Sequence, residues 1–88
     1  MHLNDMKFLL FISISTLVQA KEIRLIDNET GDPIKSVNVY TDKYGTTTDE
    51  NGYCSLELFD EIDEITFSVI GYETITKRYK EINKILYM

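Results

Sequence analysis

The chain contains very little histidine and cysteine and no tryptophan, and these scarcities exclude several kinds of site. Among its 88 residues the only histidine is His2 and the only cysteine is Cys54. A zinc centre draws its ligands from histidine, cysteine and carboxylate side chains, and a Ser-His-Asp triad needs a histidine beside its nucleophile. His2 lies in an N-terminal segment with the features of a removable signal. The remaining chain therefore lacks the residues for zinc catalysis or a histidine-based triad.

A single cysteine also excludes a disulfide within the chain. Cys54 lies on the predicted inward face of a strand and has acidic residues around it in the sequence. Free cysteine is among the most buried residue types, whereas a reactive thiolate requires an exposed and electropositive position. We expect Cys54 to be a small core side chain, with an intermolecular disulfide or a reactive thiol as the alternatives.

Basic residues are in the minority, with nine Lys and Arg against 15 Asp and Glu and a net charge of −6. Proteins that bind nucleic acids or anionic membranes present basic patches to them. We therefore expect neither as a partner, and the acidic balance mainly favours solubility.

The one long apolar run lies near the N-terminus, from Phe8 to Val18. Lys7 precedes it, and Val18-Gln19-Ala20 has the small residues that a signal peptidase recognises. The run is shorter than the roughly 20 residues of a membrane-spanning helix. We predict a helical secretory signal peptide over residues 1–20, no membrane span and a mature domain over residues 21–88. The alternative is that the run forms a buried N-terminal strand or helix of the domain.

After Ala20 the hydrophobic pattern has a period of two, which is typical of strands that bury one face. Gly, Asn and Asp clusters separate the strands at regular intervals, which favours an all-β, antiparallel β-sandwich of about seven short strands. A sandwich buries the apolar faces of both sheets together. The side chains predicted to fill this core are Leu25, Val37, Val39, Leu56, Leu58, Ile65, Phe67 and Val69.

Two polar clusters predict turns. The segment from Asp27 to Pro33 contains Gly31, and Asp49-Glu50-Asn51-Gly52 separates the extended segments Thr46–Thr48 and Tyr53–Leu58. Asp and Asn accept hydrogen bonds from nearby backbone amides, and Gly adopts positive φ without steric cost. We expect a β-hairpin across Asp49–Gly52. The segment Thr74–Tyr79 is expected at a sheet edge, because Lys77 and Arg78 would discourage pairing with other chains.

Four sequence pieces occur in an order and spacing that resemble a known family. They are Leu25-Ile26-Asp27 with Thr30-Gly31-Asp32-Pro33-Ile34, then Val37-Asn38-Val39, then Gly45 to Gly52, and finally Phe67 to Glu73. Together they resemble the carboxypeptidase regulatory-like domain, a transthyretin-like Greek-key β-sandwich, over Glu22 to Met88. The resemblance implies structural roles, without catalysis, for Asp27, Thr30, Gly31, Pro33, Asp49, Gly52, Gly71 and Tyr72. Three positions depart from the family pattern: Ile23 and Ser36 replace glycine, and Cys54 replaces a large aromatic residue.

The resemblance also implies a function. Such domains follow signal peptides in many Gram-negative envelope proteins, including TonB-dependent outer-membrane transporters, where they precede a plug and a barrel. We therefore expect a non-catalytic, exported accessory module of the periplasm or outer membrane, without cofactors. Its partner would be another protein or a fused envelope domain, and the chain would be the N-terminal extension of a truncated transporter.

Two further observations favour a stand-alone binding module instead. Asp49 and Asn51 beside the Gly52 turn, and Asp60 and Asp63 in an acidic loop, supply oxygens that calcium prefers. The full EF-hand spacing is absent, so solvated turns are the alternative. Tyr40, Tyr44 and Tyr53 lie near the predicted hairpin and would form a carbohydrate- or protein-binding patch. Ordinary strand propensity is the alternative explanation for these tyrosines.

Overall fold

A computed structural model describes residues 21–88, which form seven short strands and one turn of 3₁₀-helix over Tyr79–Glu81. The strands are β1 (Glu22–Ile26), β2 (Asn38–Tyr40), β3 (Gly45–Thr47), β4 (Tyr53–Ser55), β5 (Glu64–Ser68), β6 (Ile75–Arg78) and β7 (Ile85–Tyr87). The all-β prediction is confirmed, while the predicted signal peptide lies outside the described residues. Within residues 21–88 no helix has the length and apolar character needed to cross a membrane.

The strands form two sheets, one with the order β4-β1-β7 and the other with the order β3-β2-β5-β6. The predicted β-sandwich is therefore confirmed, and β6 lies at a sheet edge as expected. One pairing was not indicated by the sequence: β7 runs parallel to β1, with Leu86 opposite Leu25, while the other pairs are antiparallel. The first and last strands of the domain therefore lie side by side.

The core lies between the sheets, because alternate residues of each strand point to the same side. Most of the predicted core side chains are buried, and Val69 packs against them while partly exposed. The core also contains apolar residues outside the predicted set: Ile23, Ile34, Phe59, Ile82 and Leu86.

Leu58 is the one predicted core residue that the structure places outside, with 47% of its surface exposed. The prediction continued the alternation of β4 as far as Leu58, but β4 ends at Ser55. The backbone turns after Leu56, whose carbonyl accepts a 3.0 Å hydrogen bond from the amide of Phe59. This turn reverses the faces, so Phe59 is buried and Leu58 is exposed.

Two of the departures from the family pattern meet in the core. Ile23 lies directly opposite Cys54 in the β1–β4 pair, and both side chains are buried. Ile23 is larger than the usual glycine, and Cys54 is smaller than the usual aromatic residue. Where the resemblance implies glycine and an aromatic residue, this chain thus places a large and a small side chain opposite each other.

The prediction of a β-hairpin across Asp49–Gly52 is wrong. β3 pairs with β2 in the four-stranded sheet, whereas β4 pairs with β1 in the three-stranded sheet. Packed sheets lie about 10 Å apart, a distance that four residues span easily. Asp49–Gly52 is therefore a crossover between the sheets.

Both ends of the crossover are attached to the sheets. On one side, the buried Thr48 hydroxyl donates to the Ile34 carbonyl at 2.8 Å and accepts from the Val37 amide at 2.9 Å. On the other side, the Gly52 carbonyl accepts a 2.8 Å bond from the Leu25 amide. These bonds hold each flanking segment in its own sheet.

The strand directions give the sandwich two distinct ends. The first, here called the turn end, contains the loops 27–37, 48–52 and 69–74 together with Met88. The second, here called the groove end, contains the loops 41–44, 56–63 and 79–84 together with Lys21.

Candidate functional site

At the turn end, Asp27 holds two loops together. Its Oδ1 accepts bonds from the amides of Glu29 and Thr30 at 2.7 and 2.9 Å, and its Oδ2 accepts a 2.6 Å bond from the Tyr72 hydroxyl. The Tyr72 hydroxyl and the two amides hold the pKa of Asp27 below its ordinary value, and the same carboxylate raises the pKa of Tyr72. The carboxylate is therefore engaged in stabilising the loops.

The residues around Asp27 shape the same turn. The Thr30 hydroxyl accepts a 3.1 Å bond from the Asp32 amide, and Pro33 forms an isolated bridge with Ile26. Gly31 has φ +79°, a conformation that residues with a Cβ rarely adopt. In the facing loop Gly71 has φ +93° and directly precedes Tyr72. All eight residues with expected structural roles thus lie at the turn end.

The four calcium candidates divide between the two ends of the sandwich, so they cannot share one ion. Asp49 is at the turn end, where its Oδ1 accepts bonds from the amides of Asn51 and Tyr53 at 2.9 and 3.0 Å. At the groove end, Asp63 Oδ2 accepts a 2.9 Å bond from the Asp60 amide. Among the described residues no group of three His, Cys, Asp or Glu side chains is arranged to hold a metal ion.

Cys54 has the environment of a core thiol. It is 7% exposed, and burial, together with the negative charges of Asp49 and Glu22, raises the pKa of its thiol to about 11. Since the thiolate is the nucleophilic form, this environment suppresses the reactivity of Cys54 near neutral pH.

The three tyrosines proposed as one patch do not form one. Tyr40 follows buried Val39 on β2 and faces outward from the four-stranded sheet. Tyr53 precedes buried Cys54 on β4 and faces outward from the three-stranded sheet. These outer faces lie on opposite sides of the sandwich. Tyr44 is exposed in the turn between β2 and β3.

An open groove of about 870 Å³ lies on the outer face of the four-stranded sheet at the groove end. Its floor contains Tyr40, Thr66 and Thr76, and the last two have their hydroxyl oxygens 3.1 Å apart. The turn at Asp42 and the loop around Ile62 line its sides. A second groove of about 520 Å³ includes Tyr40 and continues to edge strand β3. Tyr40 is therefore common to both grooves.

A family model described as the CarboxypepD_reg-like domain matches residues 24–86, a span that includes part or all of every strand. The chain belongs to this family. Neither the curated proteins nor the solved structures include a significant match to the chain. The resemblance seen in the ordered motifs is thus confirmed. Membership of the CarboxypepD_reg-like family indicates that this domain is a non-catalytic module.

Within this CarboxypepD_reg-like domain, the sequence did not indicate two features of the site. The sequence pattern predicts an ordinary extended segment at Thr48, whereas the Thr48 hydroxyl makes two buried hydrogen bonds. The groove was not expected, because Asp42, Glu61 and Arg78 come from three separate segments. The one feature of the sequence that pointed to this groove is Tyr40, an aromatic residue at an outward position of a strand.

Proposed function

We propose that this CarboxypepD_reg-like domain is an exported, non-catalytic interaction module at the N-terminus of a TonB-dependent outer-membrane transporter or a similar envelope protein. The observation that carries the proposal is the family match over nearly the whole sandwich, directly preceded by a segment with the pattern of a secretory signal. A module of this size would act through its surface, by contacting a fused domain or a separate envelope protein.

The chemistry of the described residues supports a role without catalysis. The carboxylates of Asp27, Asp49 and Asp63 accept hydrogen bonds from backbone amides, which is the use that turns make of acidic residues. The thiol of Cys54, with its pKa of about 11, is protonated at neutral pH. General acid–base and nucleophilic catalysis need groups poised near the working pH.

Export is tested by expressing the whole chain with a C-terminal epitope tag in a Gram-negative host. We expect the tagged product in the periplasmic fraction, with Lys21 as its first residue by N-terminal sequencing. A matched Leu10→Arg variant should remain uncleaved, because a charge interrupts the apolar run. Recovery of the unprocessed wild-type chain from the cytosol would refute the proposal.

The link to a transporter is tested separately by the genomic reading frame downstream of Met88. A plug domain followed by a barrel in that frame would support the link. The same two domains encoded just beyond a stop codon that interrupts the frame would also support it. A downstream region without any envelope domain would contradict the link to a transporter while leaving export and the interaction role intact.

A further inference from the structure

Tyr40 occupies the middle of a continuous polar face on the four-stranded sheet. In the register of this sheet it lies opposite Gly45 on one side and Thr66 on the other, and Thr66 lies opposite Thr76. Its side chain is 41% exposed and lines both grooves of this face. With strands about 4.8 Å apart, the face extends roughly 14 Å from β3 to β6.

The ring of Tyr40 is free of the contacts that engage other tyrosines of the domain. The guanidinium of Arg24 lies 4.7 Å from the ring centre of Tyr53, and the Lys21 ammonium lies 4.8 Å from that of Tyr79. Within residues 21–88 no such cation lies over Tyr40. Gly45 opposite it presents no side chain, so the ring can be approached from the edge strand.

The groups around the ring are suited to a polyhydroxylated ligand. Hydroxyl and amide side chains surround Tyr40 across the sheet, contributed by Asn38, Thr47, Thr66, Ser68 and Thr76. Charged side chains of both signs line the larger groove, namely Asp42, Glu61, Asp63 and Glu64 with Lys43, Arg78 and Lys80. Sugar hydroxyls both donate and accept, so they can bond to carboxylates, ammonium groups and hydroxyls alike.

Charge and shape narrow the ligand class further. The acidic groups slightly outnumber the basic ones in the groove, and the whole chain carries −6, so an anionic ligand gains no net attraction. The volume of about 870 Å³ is within the range of small-molecule sites, and the groove is open rather than enclosed. An aromatic ring attracts the weakly positive C–H face of a pyranose, because the ring face carries negative charge density.

We propose that the outer face of the four-stranded sheet binds a neutral oligosaccharide chain, with a sugar ring stacked on Tyr40. The hydroxyl side chains on both sides of Tyr40, and the charged side chains of the larger groove, bond to the sugar hydroxyls and fix the orientation of the oligosaccharide. This inference deepens the proposed function, since it rests on the domain acting by binding and names one ligand class.

The test is a titration of ¹⁵N-labelled residues 21–88, which contain all seven strands of the two sheets described above. The probes are cellohexaose, maltohexaose, laminarihexaose and mannohexaose, with hexagalacturonic acid as the anionic comparison. We expect saturable amide shifts at Tyr40, Gly45 and Thr66 with at least one neutral probe and none with the acid.

Variants then separate stacking from a general effect on the fold. Tyr40→Ala should weaken binding about tenfold or more, whereas Tyr40→Phe should retain it because the ring remains. Tyr53→Ala is the matched control, since Tyr53 is similarly exposed (38%) on the opposite face. Thermal unfolding of each variant confirms that it is folded before its binding is compared.

Three outcomes would overturn the inference: no saturable shift with any neutral probe, shifts centred on Tyr53, or binding of the acidic probe alone. None of these would alter the result of the export experiment or the downstream reading frame. Failure of the glycan site and failure of the proposed function are therefore distinguishable.

Discussion

The turn end and the groove end of the sandwich contain the same kinds of polar residue but use them differently. At the turn end, the oxygens of Asp27 face two backbone amides and the hydroxyl of Tyr72. At the groove end, the exposed side chains of Asp42 and Glu64 line an open groove. An acidic side chain is thus structural when backbone amides donate to it, as at Asp27, and can meet a ligand when it borders the groove, as Asp42 and Glu64 do. Asp63 combines the two, since it lines the groove and accepts a 2.9 Å bond from the Asp60 amide.

The motifs of the family show the same division. Most of the residues that carry the resemblance lie in loops of the turn end, where they bind one another and the backbone. The groove residues lie largely outside those motifs. The motifs that carry the resemblance therefore account for the turn end, whereas the larger groove is built from residues between and after them.

The largest difference in stability between the two ends is predicted for alanine substitutions at two glycines, Gly52 and Gly45. Gly52 has φ +84°, and a Cβ there would lie 2.6 Å from the Leu25 carbonyl oxygen. Gly45, at the other end, has room for a Cβ, whose nearest neighbour would be 3.5 Å away. Gly52→Ala should lower the free energy of unfolding by roughly 3–5 kcal/mol through strain and overlap. Urea unfolding of both alanine variants measures this, and Gly45→Ala should stay close to wild type.

Gly31 separates the two causes of the Gly52 effect. It has a similar φ of +79°, but nothing lies within 4 Å of a Cβ placed there. Gly31→Ala should therefore cost about 1–2 kcal/mol, the conformational part alone. Equal losses at Gly31 and Gly52 would show that the close approach to Leu25 is unimportant.

The next prediction concerns the buried hydroxyl beside the crossover. Thr48→Val keeps the shape of the side chain but leaves the Ile34 carbonyl and the Val37 amide without their partner. Unsatisfied buried groups cost about 1–3 kcal/mol each, so with two of them we expect the free energy of unfolding to fall by about 2 kcal/mol or more. Thr47→Val, at an exposed neighbouring position, is the matched control and should change stability little.

A smaller effect is expected from the Asp27–Tyr72 bond, and it should depend on pH. The lowered pKa of Asp27 means that the ionised carboxylate stabilises the fold above about pH 4, and that this contribution is lost as the pH falls through the lowered pKa. Tyr72→Phe should therefore lower the melting temperature at pH 7. The difference from wild type should shrink toward pH 2, and a difference that grows with acid would contradict this assignment.

The smallest effect on stability is predicted for a substitution in a loop of the groove end. Ile62 is 87% exposed in the loop that borders the groove, so Ile62→Ser should change the free energy of unfolding by less than about 0.5 kcal/mol. A thermal scan beside wild type is sufficient. A large loss of stability would show that this loop supports the fold in the way that the turn end does.

The sequence allowed the faces of the strands to be predicted far better than their partners. Alternation of apolar and polar residues shows which side chains point inward, and it placed Val37, Val39, Ile65 and Phe67 correctly in the core. Thr46–Thr48 has the β-branched residues typical of a strand and Tyr53–Ser55 alternates, yet these segments belong to different sheets. A polar turn of four residues suits a hairpin and a crossover alike. The hairpin prediction was therefore wrong about which strands pair, although both segments are extended.

The candidate site was predictable only in part. Tyr40 was identified as an outward aromatic residue, but the groove around it is assembled from segments far apart in the chain. Tyr53, like Tyr40, is an exposed tyrosine next to a buried strand residue. The residue on the neighbouring strand determines whether the ring is covered. Arg24 lies over Tyr53, whereas Gly45 lies opposite Tyr40.

The parallel pairing of β7 with β1 has a consequence for the order of events in the cell. β7 supplies the buried Leu86 and lies beside the first strand, so the three-stranded sheet cannot close until the last strand has been synthesised. Contacts between distant parts of a chain also form slowly. Folding that is completed only after β7 has been synthesised is compatible with the export proposed for this chain.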